Sequence, residues 1–308
     1  MIPRLGLAVV DEQHRFGVEQ RGALTQQRPR PHLLGMSATP IPRTLSLTIY
    51  GDLDITTLKI LPEGRQPITT SLATNEIEKN HAYELVRQQI AHGKQAFVVC
   101  PLIEPSDSIE AASALEELKK LQQSEFKNLR VGLLHGRMKL AEKQDVMERV
   151  RNNEIDILVA TPVIEVGMDI PNATVMIIMS ANRFGLAQLH QLRGRVGRGE
   201  DESYCILMAN SKDDLASERI EAMVKYSDGF VLAEEDLRIR GPGDFMGTRQ
   251  SGWNELKIAT IDDVDLLQIA RKEASDLMAD KTLDTLNANP KLANELKRVT
   301  SEHVTEFS

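Results

Sequence analysis

The sequence has few residues of several types, and each shortage excludes a class of protein. Its 308 residues include two cysteines, which are too few for a disulfide framework or a thiolate metal site. Aromatic residues make up 4% of the chain, so a single-strand-binding surface built on base stacking is a poor fit. No apolar run reaches the roughly 20 residues that a membrane helix needs. We therefore expect a cytoplasmic protein that does not associate with a membrane.

The chain also lacks an excess of positive charge. Its 45 acidic residues outnumber 37 lysines and arginines, and the net charge of −8 gives no overall electrostatic reason to bind a polyanion. Any contact with nucleic acid must therefore come from a local patch. Two stretches qualify: residues 183–199, with Arg183, Arg193, Arg195 and Arg198, and residues 238–249, with Arg238, Arg240 and Arg249.

Short apolar runs alternate with longer amphipathic stretches, which predicts an α/β fold with parallel strands covered by helices. Strands are predicted at residues 5–10, 32–37, 68–73, 96–101, 131–134, 155–160, 175–179 and 203–208. Helices are predicted at residues 76–92, 111–124, 139–152, 186–196, 215–225 and 261–281. The proline- and glycine-containing stretch 57–67, TLKILPEGRQP, is the best domain boundary. Only two strands precede it, so the first part of the chain is typical of the trailing half of a domain.

Polar residues follow the first two predicted strands. Asp11 and Glu12 come directly after LGLAVV, at the strand end where open α/β sheets bind ligands. In nucleotide hydrolases of this architecture an aspartate there holds Mg²⁺ and a neighbouring acid orients the attacking water. Ser37 and Thr39 follow the second strand, where their hydroxyls could hydrogen-bond His14 or a carboxylate. Both groups are also compatible with ordinary polar loop openings.

A third group follows the predicted strand 155–160. Thr161 at this strand end could donate a hydrogen bond to a phosphodiester oxygen, and Gly167 allows a ligand to approach the backbone closely. A glycine turn closed by Pro171 explains the same segment equally well.

The strongest candidate is the segment 188–199, QLHQLRGRVGRG. Arg195 and Arg198 are three residues apart, so on one helical turn their guanidinium groups can point to the same side. Two such groups suit the oxygens of a γ-phosphoryl group, where negative charge develops in the transition state. Gly194 and Gly197 weaken a helix, and we expect no purely structural reason for them. The alternative is a solvated basic turn.

Taken in order, four segments resemble the second, third, fifth and sixth motifs of superfamily-2 helicases: DEQH at 11–14, SATP at 37–40, ATP…GMDIP at 160–171, and the segment 188–199. The longer strings DEQHRFGVEQR, SATPIPRTL and RGPGDFMGTRQSG extend the resemblance to the RecG family of branch-migrating DNA helicases. Transcription-repair coupling factors share RFGV and a glycine-rich segment after the motor. His14, Ser37 and the string GTRQSG are similar to the RecG form.

The resemblance implies a role for each motif. Asp11 would bind Mg²⁺ and Glu12 would activate water. ATP would be approached from the second lobe by Gly167 and Asp169, and Gln191, Arg195 and Arg198 would complete the catalytic site, with the two arginines as fingers on the γ-phosphate. Coupling of the ATP state to the grip on DNA would involve His14, Ser37 and Thr39. Thr161 would contact a DNA phosphate, and Arg240, Arg249 and Gln250 would belong to the translocation motif.

The resemblance further implies a RecA-like parallel sheet with flanking helices. Residues 1–62 would form the trailing part of the first lobe, residues 63–212 a complete second lobe, and residues 213–308 a helical extension with the translocation motif. The whole protein would be an ATP-dependent DNA helicase that translocates on duplex DNA and remodels stalled forks and recombination junctions. Its cofactors would be ATP and Mg²⁺, its partner branched DNA, and we expect a monomer.

One departure from the family limits what this chain does alone. A phosphate-cradling loop needs Gly-x-x-x-x-Gly-Lys followed by Ser or Thr, and the 308 residues contain none. Gly93 and Lys94 form the sole Gly-Lys pair and continue with Gln95. We expect a carboxy-terminal portion of a longer enzyme, without the amino-terminal wedge domain, that does not hydrolyse ATP by itself. The alternative is a non-catalytic DNA-binding or regulatory module.

Overall fold

The computed structural model describes residues 5–12, 31–38, 55–58, 64–101, 119–162, 169–209, 214–240, 264–279, 290–295 and 298. The chain divides into two compact units. One comprises Met1–Pro40 and Lys59–Ile239, and the other comprises Ile41–Leu58 and Arg240–Ser308. The division into three domains at 1–62, 63–212 and 213–308 stays a prediction.

The first unit contains two parallel sheets. The smaller one pairs β1 (Leu7–Val10) with β2 (His32–Gly35). The side chains of β1 alternate between buried and exposed: Ala8 and Val10 are buried, and Leu7 and Val9 are exposed.

The larger sheet has six strands: β3 (Ile68–Ala73), β4 (Gln95–Val99), β5 (Val131–Leu134), β6 (Ile157–Ala160), β7 (Ala173–Ile178) and β8 (Ser203–Met208). Their order is β3-β8-β7-β4-β6-β5, and every neighbouring pair is parallel. The central strands β4, β6 and β7 are buried along their whole length, as expected for a sheet covered on both faces. This arrangement confirms the predicted α/β fold with a parallel sheet.

The described helices include α1 (Glu76–Ala91), α2 (Leu140–Arg151), α3 (Leu186–Arg193), α4 (Asp214–Lys225), α5 (Gly229–Arg240) and α6 (Val264–Ala279). Helix α1 begins with a capping box: the Asn75 side chain accepts from the Glu78 amide at 3.0 Å, and the Glu78 carboxylate accepts from the Asn75 amide. It ends at Ala91 with His92 as its C-cap, and Gly93 follows with φ +77°, a left-handed conformation that glycine adopts without strain.

Each face of the larger sheet packs on its own hydrophobic core. Phe97 and Val99 of β4 point into one core, and Ala96 and Val98 point into the other. Apolar residues of α2, α3 and α4 cover the first face, and those of α1 and residues 121 and 126 cover the second. The larger sheet and the helices that cover it, which we call the lobe, therefore form a three-layer helix–sheet–helix sandwich.

Helix α3 is shorter than the predicted helix 186–196. It ends at Arg193, where the Gly194 amide donates to the His190 carbonyl at 3.0 Å; the next two amides, of Arg195 and Val196, each reach back only three residues. Arg195 and Arg198 therefore do not share a helical turn, and this part of the prediction is wrong. Val196 lies beyond the end of the helix and is still fully buried. The apolar spacing of the sequence therefore continues past the last helical residue.

The expectation that Gly197 has no structural reason is also wrong. Gly197 has φ +69°, and a Cβ atom at this position would lie 2.9 Å from Cγ1 of Ile68. A side chain here would need both an unfavourable backbone conformation and a displacement of the Ile68 side chain. The fold itself therefore requires glycine at this position.

Candidate functional site

The candidate nucleotide site of this lobe lies at the amino-terminal edge of the larger sheet. Strands β7 and β8 are adjacent and parallel, so the segments that lead into them reach the same edge. Asp169 precedes β7, and residues 194–199, which we call the arginine turn, precede β8. Arg198 Nη1 donates to Asp169 Oδ1 at 3.0 Å. The structure thus brings together two predicted site residues from different motifs.

Both partners of this ion pair remain accessible. The Arg198 side chain keeps 29% of its accessible surface and Asp169 keeps 68%. Arg195 is half-buried, with its Nε atom shielded from solvent, and Gln191 of α3 is half-buried as well. A ligand can therefore reach Arg198 from solvent without unfolding the lobe. A ligand with more negative charge than one carboxylate would compete with Asp169 for the guanidinium.

Neighbouring segments hold the arginine turn in place. Arg65 Nε donates to the Gly197 carbonyl at 3.0 Å, and a Cβ atom on Gly199 would lie 3.2 Å from the Pro171 carbonyl oxygen. Lys94 forms an ion pair with Asp201, which lies just past the turn. Lys94 lies between a helix and the strand that follows it, whereas a phosphate loop connects a strand to the helix that follows it. Lys94 is therefore a structural residue and not the lysine of a phosphate loop.

The predicted catalytic acids lie at the carboxyl edge of the smaller sheet. Asp11 follows β1, and its Oδ1 accepts a 2.8 Å hydrogen bond from the Glu12 amide. Glu12 has φ +49°, which costs a non-glycine residue about 1–3 kcal/mol, and such strain is concentrated at functional sites. Ser37 lies past β2 at the same edge, because β1 and β2 are parallel. The structure therefore places Asp11, Glu12 and Ser37 at one sheet edge, while His14 and Thr39 lie outside the described residues.

The predicted DNA contacts are placed in part. Thr161 follows β6, where its amide donates to the Leu134 carbonyl at 3.1 Å, and the residue is only 2% exposed. Arg240 is the exposed last residue of α5. Gly167, Arg249 and Gln250 lie outside the described residues.

Burial removes Arg193 from the predicted basic patch at residues 183–199. It is 4% exposed and donates hydrogen bonds to the carbonyl oxygens of Met223, Tyr226 and Ser227 at 2.9–3.0 Å. It therefore fastens the end of α3 to the connection between α4 and α5 and is not part of an accessible surface. The spacing of Leu186, Leu189 and Arg193 on one helix face is a sequence signal that predicts this burial.

Burial also sets the protonation of two neighbours of Arg193. It lowers the pKa of His190 to about 4, with help from the Arg193 charge and opposed by Asp228, so the imidazole is neutral at physiological pH. Burial raises the pKa of the Cys205 thiol to about 12, against the pull of Arg193. A thiol this weakly acidic is neither a nucleophile nor a metal ligand at neutral pH.

Two further observations apply to the part of the chain that the structure describes. It contains no group of three or more histidine, cysteine or acidic side chains that could by itself hold a metal ion. None of its helices is long and apolar enough to cross a membrane.

Comparison with known proteins agrees with this geometry. Residues 79–200 match the family described as helicase conserved C-terminal domain, and residues 226–306 match the family described as ATP-dependent DNA helicase RecG, domain 3, C-terminal. The first match covers the arginine turn and the second covers α5.

Relatives with high identity carry the same name. The chain is 50% identical over 294 residues to the ATP-dependent DNA helicase RecG of Synechocystis sp., covering 95% of this chain and 35% of that protein. It is 47% identical over 275 residues to the RecG of Staphylococcus epidermidis, covering 89% of this chain and 40% of that protein. A solved structure of RecG bound to a three-way DNA junction is 44% identical, with a TM-score of 0.65, and the match covers 85% of this chain and 33% of that one. The chain, which spans little more than a third of the length of these relatives, belongs to the RecG family and has its RecA-like helicase fold.

Proposed function

We propose that this chain supplies the second motor lobe and the carboxy-terminal part of an ATP-dependent DNA helicase that remodels branched DNA. Its duplex substrates would be stalled forks and recombination junctions. The name of the RecG relatives and the structure of one bound to a three-way DNA junction support this proposal. The observation that carries it is the contact of Arg198 with Asp169 at the edge of the sheet.

The residues present fit part of a site for ATP and Mg²⁺. Carboxylate oxygens are preferred ligands of Mg²⁺, so Asp11 would hold the ion and Glu12 would take a proton from the attacking water. Bound Mg²⁺ would supply positive charge to the phosphate oxygens. The loop that cradles the β- and γ-phosphates is absent from the 308 residues, so this part of the site must come from other residues.

Arg198 would act through an exchange of partners. In the structure its guanidinium donates to one carboxylate, whose charge is smaller than that of a triphosphate. When the two lobes close on ATP, Arg198 and Arg195 would donate to the γ-phosphate and stabilise the charge that develops there. Asp169 would then be released to accept from another polar group of the nucleotide.

Contacts with DNA would come from local groups, since the net charge is −8. Thr161 would donate to a backbone phosphate after a rearrangement that uncovers it, and Arg240, Arg249 and Gln250 would track the duplex. Binding that depends on phosphate contacts weakens steeply as salt concentration rises. We therefore expect the isolated 308-residue chain to bind branched DNA weakly, and only at low salt.

The test uses the full-length product of the gene. ATP hydrolysis stimulated by branched DNA should fall about 10³-fold or more in Arg198→Ala, the magnitude typical of an arginine finger. Arg149→Ala is the matched control, because Arg149 is an exposed arginine of the same lobe in an ion pair with Glu154 at 3.6 Å. Unchanged hydrolysis in Arg198→Ala, with the control also active, would exclude the finger role.

The missing phosphate loop favours a second candidate function, a non-catalytic module that binds DNA or regulates a helicase. The two candidates differ in the reading frame upstream of this segment and in activity. A full-length product that lacks Gly-x-x-x-x-Gly-Lys, binds branched DNA and hydrolyses no ATP would establish the second candidate. A product with this loop and DNA-stimulated hydrolysis would eliminate it.

A further inference from the structure

We propose that Arg65 is a positioning residue for the arginine fingers. It belongs to the segment 57–67 that the sequence predicts as the boundary between the two lobes. In this role Arg65 touches no nucleotide and acts by fixing the backbone that carries Arg195 and Arg198. The inference rests on the proposed function of these two arginines.

The contact joins two distant parts of the chain. Arg65 Nε donates to the Gly197 carbonyl oxygen at 3.0 Å, and the contact is half-buried. Gly197 lies between the two proposed fingers and has φ +69°. Because a glycine has no side chain to fix its peptide orientation, the bond from Arg65 supplies a restraint where the backbone is freest. A guanidinium donor makes this bond stronger than one between neutral groups.

Residues on both sides of Arg65 also lie close to the arginine turn and to Glu200, which follows it. The Ile68 side chain fills the space beside Gly197, 2.9 Å from where a Cβ atom would lie. At the other end, the Cβ position of Gly64 is 3.8 Å from Oε1 of Glu200, just past the turn. Contacts at positions 64, 65 and 68 therefore join this segment to residues 197–200, so the bond from Arg65 is not an isolated contact.

Arg65 completes a set of restraints on the turn. Asp169 accepts from Arg198 on one side, and Lys94 pairs with Asp201 after the turn. Of these restraints, the bond from Arg65 is the one that comes from the predicted boundary segment 57–67 itself.

This geometry separates binding from catalysis. ATP binding in the ground state depends mainly on groups other than the fingers, whereas the fingers stabilise charge in the transition state. Displacement of a catalytic arginine by about 1 Å can lower the rate of the reaction on the order of 100-fold. Loss of Arg65 should therefore lower kcat and leave KM for ATP nearly unchanged.

The test measures ATP hydrolysis stimulated by branched DNA in the full-length product of the gene. In Arg65→Met, kcat should fall roughly 10- to 100-fold, with KM for ATP within about twofold of the wild-type value. Arg65→Lys, which keeps a cationic donor, should recover part of the lost kcat. Arg87→Met is the matched control: Arg87 Nη1 also donates to a backbone carbonyl, that of Glu125, at 3.0 Å, and its loss should leave kcat unchanged.

A double variant shows whether Arg65 acts through the fingers. Adding Arg65→Met to Arg198→Ala should lower kcat by a smaller factor than Arg65→Met does in the wild-type protein, because only Arg195 then remains to be positioned. Fully additive losses, or wild-type kcat in Arg65→Met, would overturn the proposal. If Arg65→Met does not fold, judged by its circular dichroism melting curve, Arg65→Gln takes its place in both measurements and Arg65→Lys remains the variant that should recover part of the lost kcat.

The two proposals fail differently. Wild-type hydrolysis in Arg198→Ala removes the finger role and with it the proposed function. Loss of hydrolysis in Arg198→Ala, together with full activity in Arg65→Met, removes only the role of Arg65.

Discussion

Replacing Arg193 by methionine should detach the connection between α4 and α5 from the end of α3. Methionine has a similar length and fills the same buried space, but it donates no hydrogen bond. The carbonyl oxygens of Met223, Tyr226 and Ser227 would each lose a donor at 2.9–3.0 Å. The variant therefore tests whether this one guanidinium holds the two segments together.

The magnitude follows from two opposing contributions. Each hydrogen bond to a charged group contributes about 1.5–3 kcal/mol, so the three bonds to carbonyl oxygens together contribute about 5–9 kcal/mol. The variant also avoids the desolvation penalty of the buried guanidinium, which is several kcal/mol. We expect a net loss of about 3 kcal/mol in the free energy of unfolding. In a domain of 150–250 residues this corresponds to a fall in Tm of about 6–12 °C.

Calorimetry of the 308-residue chain gives the Tm, and hydrogen exchange locates the change. Amides of residues 223–240 should lose protection first, because they follow the broken contact. Arg130→Met is the control: this arginine is 58% exposed and pairs with Asp156, so its removal should lower the Tm much less than Arg193→Met does. A loss no larger than that of the control, or unchanged exchange in residues 223–240, would refute the reasoning.

Two further predictions concern buried polar groups. Gln95→Leu should lower the free energy of unfolding by about 2 kcal/mol in urea titrations, because the buried amide donates to the Val150 and Ile155 carbonyls at 2.7 Å; Gln122→Leu, which loses an exposed 3.4 Å contact, should cost much less. His190 should make stability depend on pH, since burial lowers its pKa from 6.5 to about 4. Its contribution is fully present above pH 6.5 and is lost as pH falls towards 4, because the unfolded chain then binds a proton that the folded chain does not. The fall in urea midpoint between pH 7 and pH 4.5 should therefore be smaller in His190→Gln, and an equal fall would contradict this assignment.

The sequence predicts the strands of the larger sheet well because most of them contain a short apolar run. The run VMII in β7, for example, is buried along its whole length. The order of the strands is not contained in these runs, since it depends on which neighbours pair over long distances. For this reason the sequence places Asp169 and Arg198 in one site only through the family resemblance, whereas the adjacency of β7 and β8 brings them together physically.

Local detail at the arginine turn is harder to predict. The apolar spacing of Leu189, Leu192 and Val196 is compatible with a helix to residue 196, although the chain leaves the helix at Gly194 and buries Val196 from a turn. Arg193 has the same chemistry as its neighbours, so only its place on the Leu186–Leu189 face distinguishes it. No local pattern marks Arg65, because its partner, Gly197, lies in another part of the sequence.

The pairing of β3 with β8 makes the first and last strands of this lobe neighbours. The points where the chain enters and leaves the sheet are therefore separated by little more than one strand length, and α4 brings the exit back towards β3. A domain with neighbouring termini can be inserted into, or removed from, a longer polypeptide with little disturbance of its interior. Recombination between genes could thus transfer this lobe as one unit, and a circular permutant that joins β8 to β3 through a short linker should keep the same core.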